Sequence, residues 1–249
     1  DTRELMKTIQ KEGTMKALIC DINKPLDECM NIINGYTEAT NLVQYVTSKK
    51  VWYSRTPNPM YNVAVIDLGT KLNLIKGLNQ AGCNVISFPY NTTKEEILKY
   101  KPNGLFISTG PGNPIYLESV VELIKSFIGT LPIFGVGLGH QLIGLAYDAK
   151  TLKMKTGHHG CNYPVRNLKT GKVEITVQNH LYTLDRQSLK GTSLKITHEN
   201  VISNEVEGIE DSKNKVMSIE FEPFTIIDAN TEDVYQKFKE CNAYEVAYK

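Results

Sequence analysis

The sequence predicts an α/β protein with a mostly parallel central sheet, helices on both faces and a mixed edge. Between residues 63 and 147, short apolar runs alternate with helical stretches, which is the pattern of βαβ units. Strands of a parallel sheet are covered on both faces and are therefore apolar along their length. From residue 151 onward the apolar runs become shorter. This last third is expected to form an antiparallel or mixed edge of the sheet.

A polar stretch with two prolines, residues 54–59, is typical of a linker and divides the chain. We predict a small first region at residues 1–57 and an α/β domain at residues 58–249. In the first region, a charged helix, an apolar strand and a second helix are expected at residues 3–12, 16–20 and 25–33.

The elements of the second region follow in a regular order. The predicted strands are residues 63–66, 84–88, 104–107 and 132–134. The predicted helices between and after them are residues 71–81, 94–99, 117–128 and 140–147. The shorter strands and a last helix are expected at residues 173–177, 194–197, 216–220 and 232–241.

The composition is that of a soluble globular protein with a sizeable core. Apolar residues make up 41% of the 249 residues and charged residues 22%. The formal net charge is +1 with both signs interspersed, so the basic stripe that nucleic acids or acidic membranes require is missing. No apolar run approaches the roughly 18–20 residues of a membrane span.

The cysteines are odd in number, widely spaced and without a CxxC pair. They are Cys20, Cys29, Cys83, Cys161 and Cys241. We predict reduced structural thiols rather than a disulfide framework or a zinc site. No metal is expected in this chain, and the location is expected to be cytoplasmic, with an organelle matrix as the alternative.

Two loops follow predicted strands, at the edge of a parallel sheet where chemistry is found. Residues 109–114 have two glycines around a proline, Gly110 and Gly112, which leave backbone N–H groups bare. Such a loop suits an anion or an oxyanion. The alternative is a plain tight turn, because Gly-Pro clusters are common turn formers.

The second loop, residues 134–141, passes from a strand through a sharp turn into a helix. This is the arrangement of a nucleophile elbow, where the side chain at the tip sits beside a helix N-terminus. Here the tip is Gly137 and has no side chain. A phosphate-binding glycine loop is the weaker interpretation, since the Lys-Ser/Thr of a P-loop and the downstream acid of a dinucleotide site are missing.

The two loops resemble motifs of the class I, triad-type glutamine amidotransferases. Residues 108–114 look like the SxGPGxP loop of that family, and residues 135–141 look like its GxCxGHQ elbow. Residues 153–160 and 178–180, with the Asp-Thr-Arg and Gly-Thr-Met of the first fifteen residues, narrow the resemblance to the small subunit of carbamoyl-phosphate synthetase. The resemblance covers essentially the whole chain. It implies that residues 1–57 are the end of the small subunit's N-terminal domain, so we expect the chain to be a fragment.

The resemblance also implies that the catalytic triad is lost. The family uses a cysteine nucleophile, a histidine base and a glutamate that orients the histidine. The cysteine position is Gly137 in this chain. The family's FHPE segment aligns with residues 221–224, so the histidine becomes Glu222 and the glutamate becomes Phe224.

The implied glutamine pocket is partly kept. Gly110 and Leu138 match the oxyanion-hole positions. Substrate-contact positions are matched by Gly112, Gln141, Asn179 and Tyr182. Leu181 replaces a family glycine and is expected to intrude on the space for glutamine. Hydrogen bonding within the fold is the alternative role for Gln141 and Asn179.

On this resemblance we expect a silent glutaminase-like subunit that serves ammonia-dependent carbamoyl-phosphate synthesis, in the arginine or pyrimidine pathway. The expected partner is the large subunit or synthetase domain, which would hold ATP and metal, while this chain would hold no cofactor. One alternative is an active glutaminase with an unusual nucleophile such as Cys161 and with Glu222 as base. The other is a non-enzymatic module that binds glutamine without cleaving it.

Overall fold

A computed structural model describes residues 1–37 and 40–223. Three sequence-based predictions lie outside these residues: the last helix at 232–241, the triad position Phe224 and the cysteine Cys241. None of the described helices is long and apolar enough to cross a membrane.

The strands form one mixed sheet of ten. Their bounds are β1 Trp52–Ser54, β2 Tyr61–Asp67, β3 Cys83–Pro89, β4 Gly104–Ile107, β5 Ile133–Val136, β6 Thr151–Asn167, β7 Val173–Leu184, β8 Lys195–Asn200, β9 Val206–Asp211 and β10 Val216–Ile219. The order across the sheet is β1-β3-β2-β4-β5-β10-β9-β8-β6-β7. The five strands β3, β2, β4, β5 and β10 are parallel, and the remaining pairs are antiparallel. The predicted parallel sheet with a mixed edge is confirmed.

Seven helices lie in the described part of the chain. They are α1 Thr2–Glu12, α2 Leu26–Gly35, α3 Val43–Val46, α4 Leu72–Gln80, α5 Lys94–Leu98, α6 Glu118–Phe127 and α7 Leu138–Ala146. Alternation along the strands divides the core into two layers, because successive side chains of a strand point to opposite faces. Ala64 and Ile66 of β2 pack with residues of α5, α6 and α7, while Val63 and Val65 pack with α4. Both faces of the sheet are therefore covered, as predicted.

Two predictions for the antiparallel and N-terminal regions are wrong. Residues 16–20 pair with none of the described strands and are not a strand, and Ile19 is 99% exposed. The edge strands are also not all short: β6 has 17 residues and β7 has 12. Register shifts interrupt their pairing between residues 153 and 158 and between 160 and 163, which hides the alternating pattern of a long strand.

The predicted boundary at residue 57 stays a prediction. Strand β1 precedes that boundary and pairs with β3 at the edge of the large sheet. Further back, the Thr14 N–H donates a hydrogen bond of 3.0 Å to the Lys155 carbonyl of β6. The first region thus contacts the α/β domain both at residue 14 and at residues 52–54.

No disulfide joins any two of the four described cysteines. Cys83 is buried in the core, Cys161 is exposed on β6, and the sulfurs of Cys20 and Cys29 lie 3.4 Å apart.

Candidate functional site

The carboxyl ends of the parallel strands open into a cavity of about 580 Å³. Its walls come from the loops after β2, β4, β5 and β10 and from the β6–β7 hairpin. Ligands of open α/β sheets bind at this edge. The lining includes Lys71, Gly110, Gly112, Gly137, Leu138, Gln141, Asn179, Leu181, Tyr182, Glu220 and Glu222. All the described positions that match the family's triad, oxyanion-hole and glutamine-contact residues therefore line one cavity.

Gly137 forms the tip of the sharp turn between β5 and α7. Its φ of 57° and ψ of −115° are angles that residues with a side chain rarely adopt. A Cβ there would lie 3.3 Å from Thr109 Cγ2 and 3.7 Å from the Glu220 carbonyl oxygen. A small side chain would fit after a slight shift of Thr109, although the backbone would be strained. The turn has the shape of a nucleophile elbow and carries no nucleophile.

The neighbouring glycines allow α7 to lie close to the sheet. A Cβ on Gly139 would lie 2.3 Å from the Ile107 carbonyl oxygen at the end of β4. A Cβ on Gly135 would lie 2.5 Å from Ile143 Cδ1 and 2.8 Å from the Gly139 carbonyl oxygen. The glycine spacing that resembled a phosphate-binding loop is therefore explained by packing of the helix against the strands.

The opposite wall of the turn has the form of an oxyanion cradle. Leu138 is the first residue of α7, so its N–H has no acceptor within the helix and lies at the positive end of the helix dipole. Gly110 approaches the residue after β2 so closely that a Cβ would lie 2.3 Å from the Leu68 carbonyl oxygen. Gly112 has a φ of +97°, which favours glycine. All three residues line the cavity, and their role in holding an oxyanion stays a prediction.

Glu222 occupies the implied base position on the cavity wall. Its backbone N–H donates to the Val177 carbonyl at 3.0 Å, which fixes the segment against β7. Its carboxylate forms an ion pair with Lys71, from the loop after β2. The carboxylate is thus occupied by a cation rather than directed at a nucleophile. The third implied position, Phe224, lies outside the described residues.

The polar pocket positions are already used within the protein. Gln141 Nε2 donates to the Tyr182 carbonyl at 2.9 Å and to Glu220 Oε1 at 2.8 Å. Asn179 Oδ1 lies 2.7 Å from His159 Nδ1. Both observations favour the interpretation that Gln141 and Asn179 stabilise the fold. Leu181 stands between Asn179 and Tyr182 on β7 and lines the cavity.

The substitute nucleophile suggested by the sequence is not at the site. Cys161 lies on the exposed side of β6, beside the second register shift, and does not line the cavity. An acyl-transfer nucleophile must lie within reach of the oxyanion donors. Among the described residues, Cys161 therefore does not replace the missing cysteine.

Behind the cavity lies a layer of buried polar side chains that sequence reasoning missed. Its members each expose 8% or less of their surface and are His140, His158, Gln178, His180, Glu207, Ser218 and Glu220. His158 and His180 are paired residues of β6 and β7, so both side chains lie on the same face. In the sequence, the segments that contain these two histidines indicated only the family resemblance and not a buried polar layer. No local pattern marks the two glutamates, which come from β9 and from the residue after β10.

Burial keeps the two carboxyl groups of this layer close to their neutral forms. It raises the pKa of Glu207 to about 8, and the side-chain amides of Gln178 and Asn200 offset only part of this rise. Burial and the neighbouring Glu207 raise the pKa of Glu220 well above its ordinary value, although the hydrogen bond from Gln141 lowers it. An isolated buried carboxylate is costly, so protonation or a compensating cation is required.

The buried histidines are shifted in the opposite sense. Burial lowers the pKa of His140 to about 3 and that of His180 to about 4. Both rings are therefore neutral at pH 7. His140 Nδ1 lies 2.9 Å from Ser218 Oγ, and its Nε2 is 3.8 Å from Glu220 Oε2.

We expect the buried neutral ring of His140 to lower the free energy of unfolding as the pH falls. The unfolded chain binds a proton near the ordinary histidine pKa of 6.5, while the folded chain does not until about pH 3. Stability is therefore present above pH 6.5 and is lost as the pH falls toward 3. Between pH 6.5 and 5 the loss from this group amounts to about 2 kcal/mol, at about 1.36 kcal/mol per pH unit.

Urea unfolding at the two pH values measures this loss. The variant His140→Asn should show a change smaller by about 2 kcal/mol. Leu142→Ala, at a buried position on the same helix, is the control, because it lowers stability equally at both pH values. An unchanged pH dependence in His140→Asn would contradict the assignment.

The fold and the elbow define the class to which the chain belongs. The model of the family "Glutamine amidotransferase class-I" matches residues 64–240, and the chain is a member of that family. A solved structure described as a GMP synthase component from Thermoplasma acidophilum has the same fold. It superposes with a TM-score of 0.65 at 18% identity, over 76% of this chain and 98% of that one.

More similar relatives carry one description, carbamoyl phosphate synthase small chain. The protein of that description from Bacillus cereus is 38% identical over 240 residues, which are 96% of this chain and 64% of the relative. Those from Staphylococcus haemolyticus and Fusobacterium nucleatum are 39% identical over 223 residues, or 90% of this chain, and 60% and 62% of their own lengths. The chain therefore spans slightly less than two thirds of these relatives.

Proposed function

We propose that this chain is the glutaminase-like part of a carbamoyl-phosphate synthetase small subunit that does not hydrolyse glutamine. In this proposal it serves a structural or regulatory role while the partner uses free ammonia. The observation that carries the proposal is Gly137 at the tip of an otherwise complete elbow.

The chemistry explains why one missing side chain matters so much. Glutamine hydrolysis of this class needs a thiolate that attacks the side-chain amide, a base that delivers a proton to the departing ammonia, and water that releases the thioester. The described residues that line the cavity include no cysteine, and the tip of the elbow has no side chain that could form the tetrahedral intermediate. In a triad hydrolase, loss of the nucleophile alone costs on the order of 10⁶ in turnover.

The base position supports the same proposal. Glu222 is paired with Lys71 and lies where the family places a histidine. The shape of the site is kept, since α7 and the loop after β4 still pack through Gly139 and Gly110. A site that lacks its catalytic side chains but keeps its backbone packing fits a subunit that acts by binding or stabilising its partner rather than by catalysis.

The partner is the part of the proposal that lies outside this chain. Carbamoyl phosphate synthase small chains imply a large synthetase subunit, and on this resemblance that subunit would hold ATP and metal. Glutamine remains a candidate ligand of the cavity, although Leu181 narrows it.

Nitrogen-source kinetics test the proposal. The full-length protein assembled with its synthetase partner should form carbamoyl phosphate from ammonium ions and, at matched concentration, no more from glutamine than from the contaminating ammonia. Glutamine-dependent synthesis above that background would overturn the proposal. As a second arm, the small subunit should raise the partner's thermal stability or its ammonia-dependent rate, and no effect on either would refute the structural or regulatory role.

A further inference from the structure

Three side chains from three strands converge behind the cavity. They are His158 on β6, His180 on β7 and Glu207 on β9, and the potential ligand atoms of the three lie within 4.8 Å of one another. Each histidine is 8% exposed and Glu207 is fully buried. Strand β8 separates β9 from β6 in the sheet, so this cluster connects strands that do not pair directly.

The hydrogen bonds around the cluster fix which atoms point into it. Thr176 Oγ1 donates to the Tyr163 carbonyl at 2.9 Å, so its lone pair must accept from Gln178 Nε2 at 3.2 Å. The amide oxygen of Gln178 is thereby turned toward the two histidines, 2.6 Å from His158 Nδ1 and 3.2 Å from His180 Nε2.

The tautomer of His180 is fixed in a similar way. Its Nδ1–H donates to the Tyr182 carbonyl at 2.9 Å, which leaves a lone pair on Nε2 of the neutral ring. That lone pair faces the Gln178 oxygen, so two acceptors oppose each other. A histidine that binds a metal through one nitrogen commonly donates its other N–H to a backbone carbonyl.

The carboxyl group of Glu207 is the third member of the cluster. The side-chain amides of Gln178 and Asn200 lie close to it, but neither of its oxygens accepts a hydrogen bond of normal geometry from the described residues, and Oε1 lies 3.8 Å from His158 Nδ1. The cluster therefore brings together an amide oxygen, an imidazole lone pair and a buried carboxyl group that lacks a hydrogen bond of normal geometry. A cation would satisfy all of them at once.

We propose that His158, His180 and Glu207 form a buried site for a divalent transition metal of the zinc type, with the Gln178 amide oxygen or a water as the fourth ligand. Two imidazoles and one carboxylate are a common zinc donor set. At zinc–ligand distances of about 2.0–2.2 Å, tetrahedral ligands lie roughly 3.3 Å apart, so each ligand atom would move inward by less than about 1 Å.

Such a metal would hold the wall of the cavity in place. His180 lines the cavity and His158 pairs with it across the hairpin, so the metal would fix the β6–β7 hairpin to β9. The sequence-based expectation of no metal rested on the lack of a CxxC pair, and these ligands are spread over 50 residues without a spacing signature. The site does not depend on whether glutamine is hydrolysed.

Cobalt titration tests the proposal. The purified protein is stripped with a chelator, dialysed and titrated with Co²⁺, with Zn²⁺ as competitor. We expect one Co²⁺ per chain, visible d–d absorption bands of a four-coordinate site, displacement of those bands by Zn²⁺ and a higher thermal midpoint with Zn²⁺. Absence of Co²⁺ binding by the folded protein would overturn the proposal.

Variants separate the site from a protonated Glu207 that needs no metal. Glu207→Gln keeps the size of the side chain and should weaken Co²⁺ binding by more than about 100-fold, beyond the 10- to 100-fold loss seen when a residue only orients a ligand. His158→Asn should do the same. Glu220→Gln is the control, because this buried carboxyl lies 3.7 Å from His180 Nδ1, the ring nitrogen that does not point into the cluster, and this variant should keep the bands. Circular dichroism of the metal-free variants checks folding, and bands retained in Glu207→Gln would disprove the assignment.

Discussion

Restoring the implied catalytic side chains together is expected to raise glutamate release by at least about 10³-fold over the chain as it stands. The variant combines Gly137→Cys, Glu222→His and Phe224→Glu, with Leu181→Gly to reopen the cavity. A thiol at residue 137 would sit at the N-terminus of α7, which lowers its pKa and exposes the sulfur beside the Leu138 amide. Because triad members act as a unit, each substitution made alone should raise glutamate release only slightly.

The restoration has a close control. The same combination with Gly137→Ala in place of Gly137→Cys has the same backbone strain and the same reopened cavity but no nucleophile. It should show no glutamate release above the original chain. If the cysteine combination folds with the same circular dichroism spectrum and is no faster than this control, the assignment of Gly137 as the nucleophile position is wrong.

Gly139→Ala is expected to lower the free energy of unfolding by about 3 kcal/mol or more. A Cβ at this position would meet the carbonyl oxygen of Ile107 at 2.3 Å and its carbonyl carbon at 2.8 Å. Backbone atoms of a central strand do not move aside as a flexible side chain does, so α7 would have to shift away from β4. Overpacking of a core costs about 1–3 kcal/mol and occasionally more, and a backbone obstacle lies at the upper end.

Urea unfolding of three glycine variants checks this prediction. Gly35→Ala is the matched control, because nothing lies within 4 Å of the added carbon at the end of α2. It should be neutral or slightly stabilising. Gly137→Ala should fall between the two, at about 1–3 kcal/mol, since its cost is backbone strain rather than collision. Equal stability of Gly139→Ala and Gly35→Ala would refute the packing explanation.

The parallel part of the fold could be predicted from the sequence because its signals are local. Each strand there is a short apolar run next to a helix with an apolar face, and β4 has the predicted bounds, residues 104–107. The β6–β7 hairpin could not be predicted at its full length, because its pairing is broken by two register shifts. Its segments also carry polar residues that face the buried layer, such as His158 and Gln178.

The candidate site likewise has one part that could be predicted from the sequence and one part that could not. Its glycines and backbone cradle lie in two contiguous motifs, so Gly110 and Gly137 could be located from the sequence alone. Contacts between residues that are far apart in the sequence could not be predicted, because no local sequence pattern indicates them. Examples are the ion pair between Lys71 and Glu222, 151 residues apart, and the convergence of Glu207 with His158. Such contacts follow from the order of strands in the sheet rather than from any local pattern.

Glutamate release from glutamine by the full-length protein, assembled with its synthetase partner, decides whether the chain is a silent glutaminase. We expect a rate equal to that of a protein-free blank, because the elbow has a cradle and no nucleophile. We also expect that a glutamine-analogue electrophile leaves no covalent adduct detectable by mass spectrometry. Turnover of glutamine above the blank, or an adduct on any residue that lines the cavity, would contradict the proposed loss of activity.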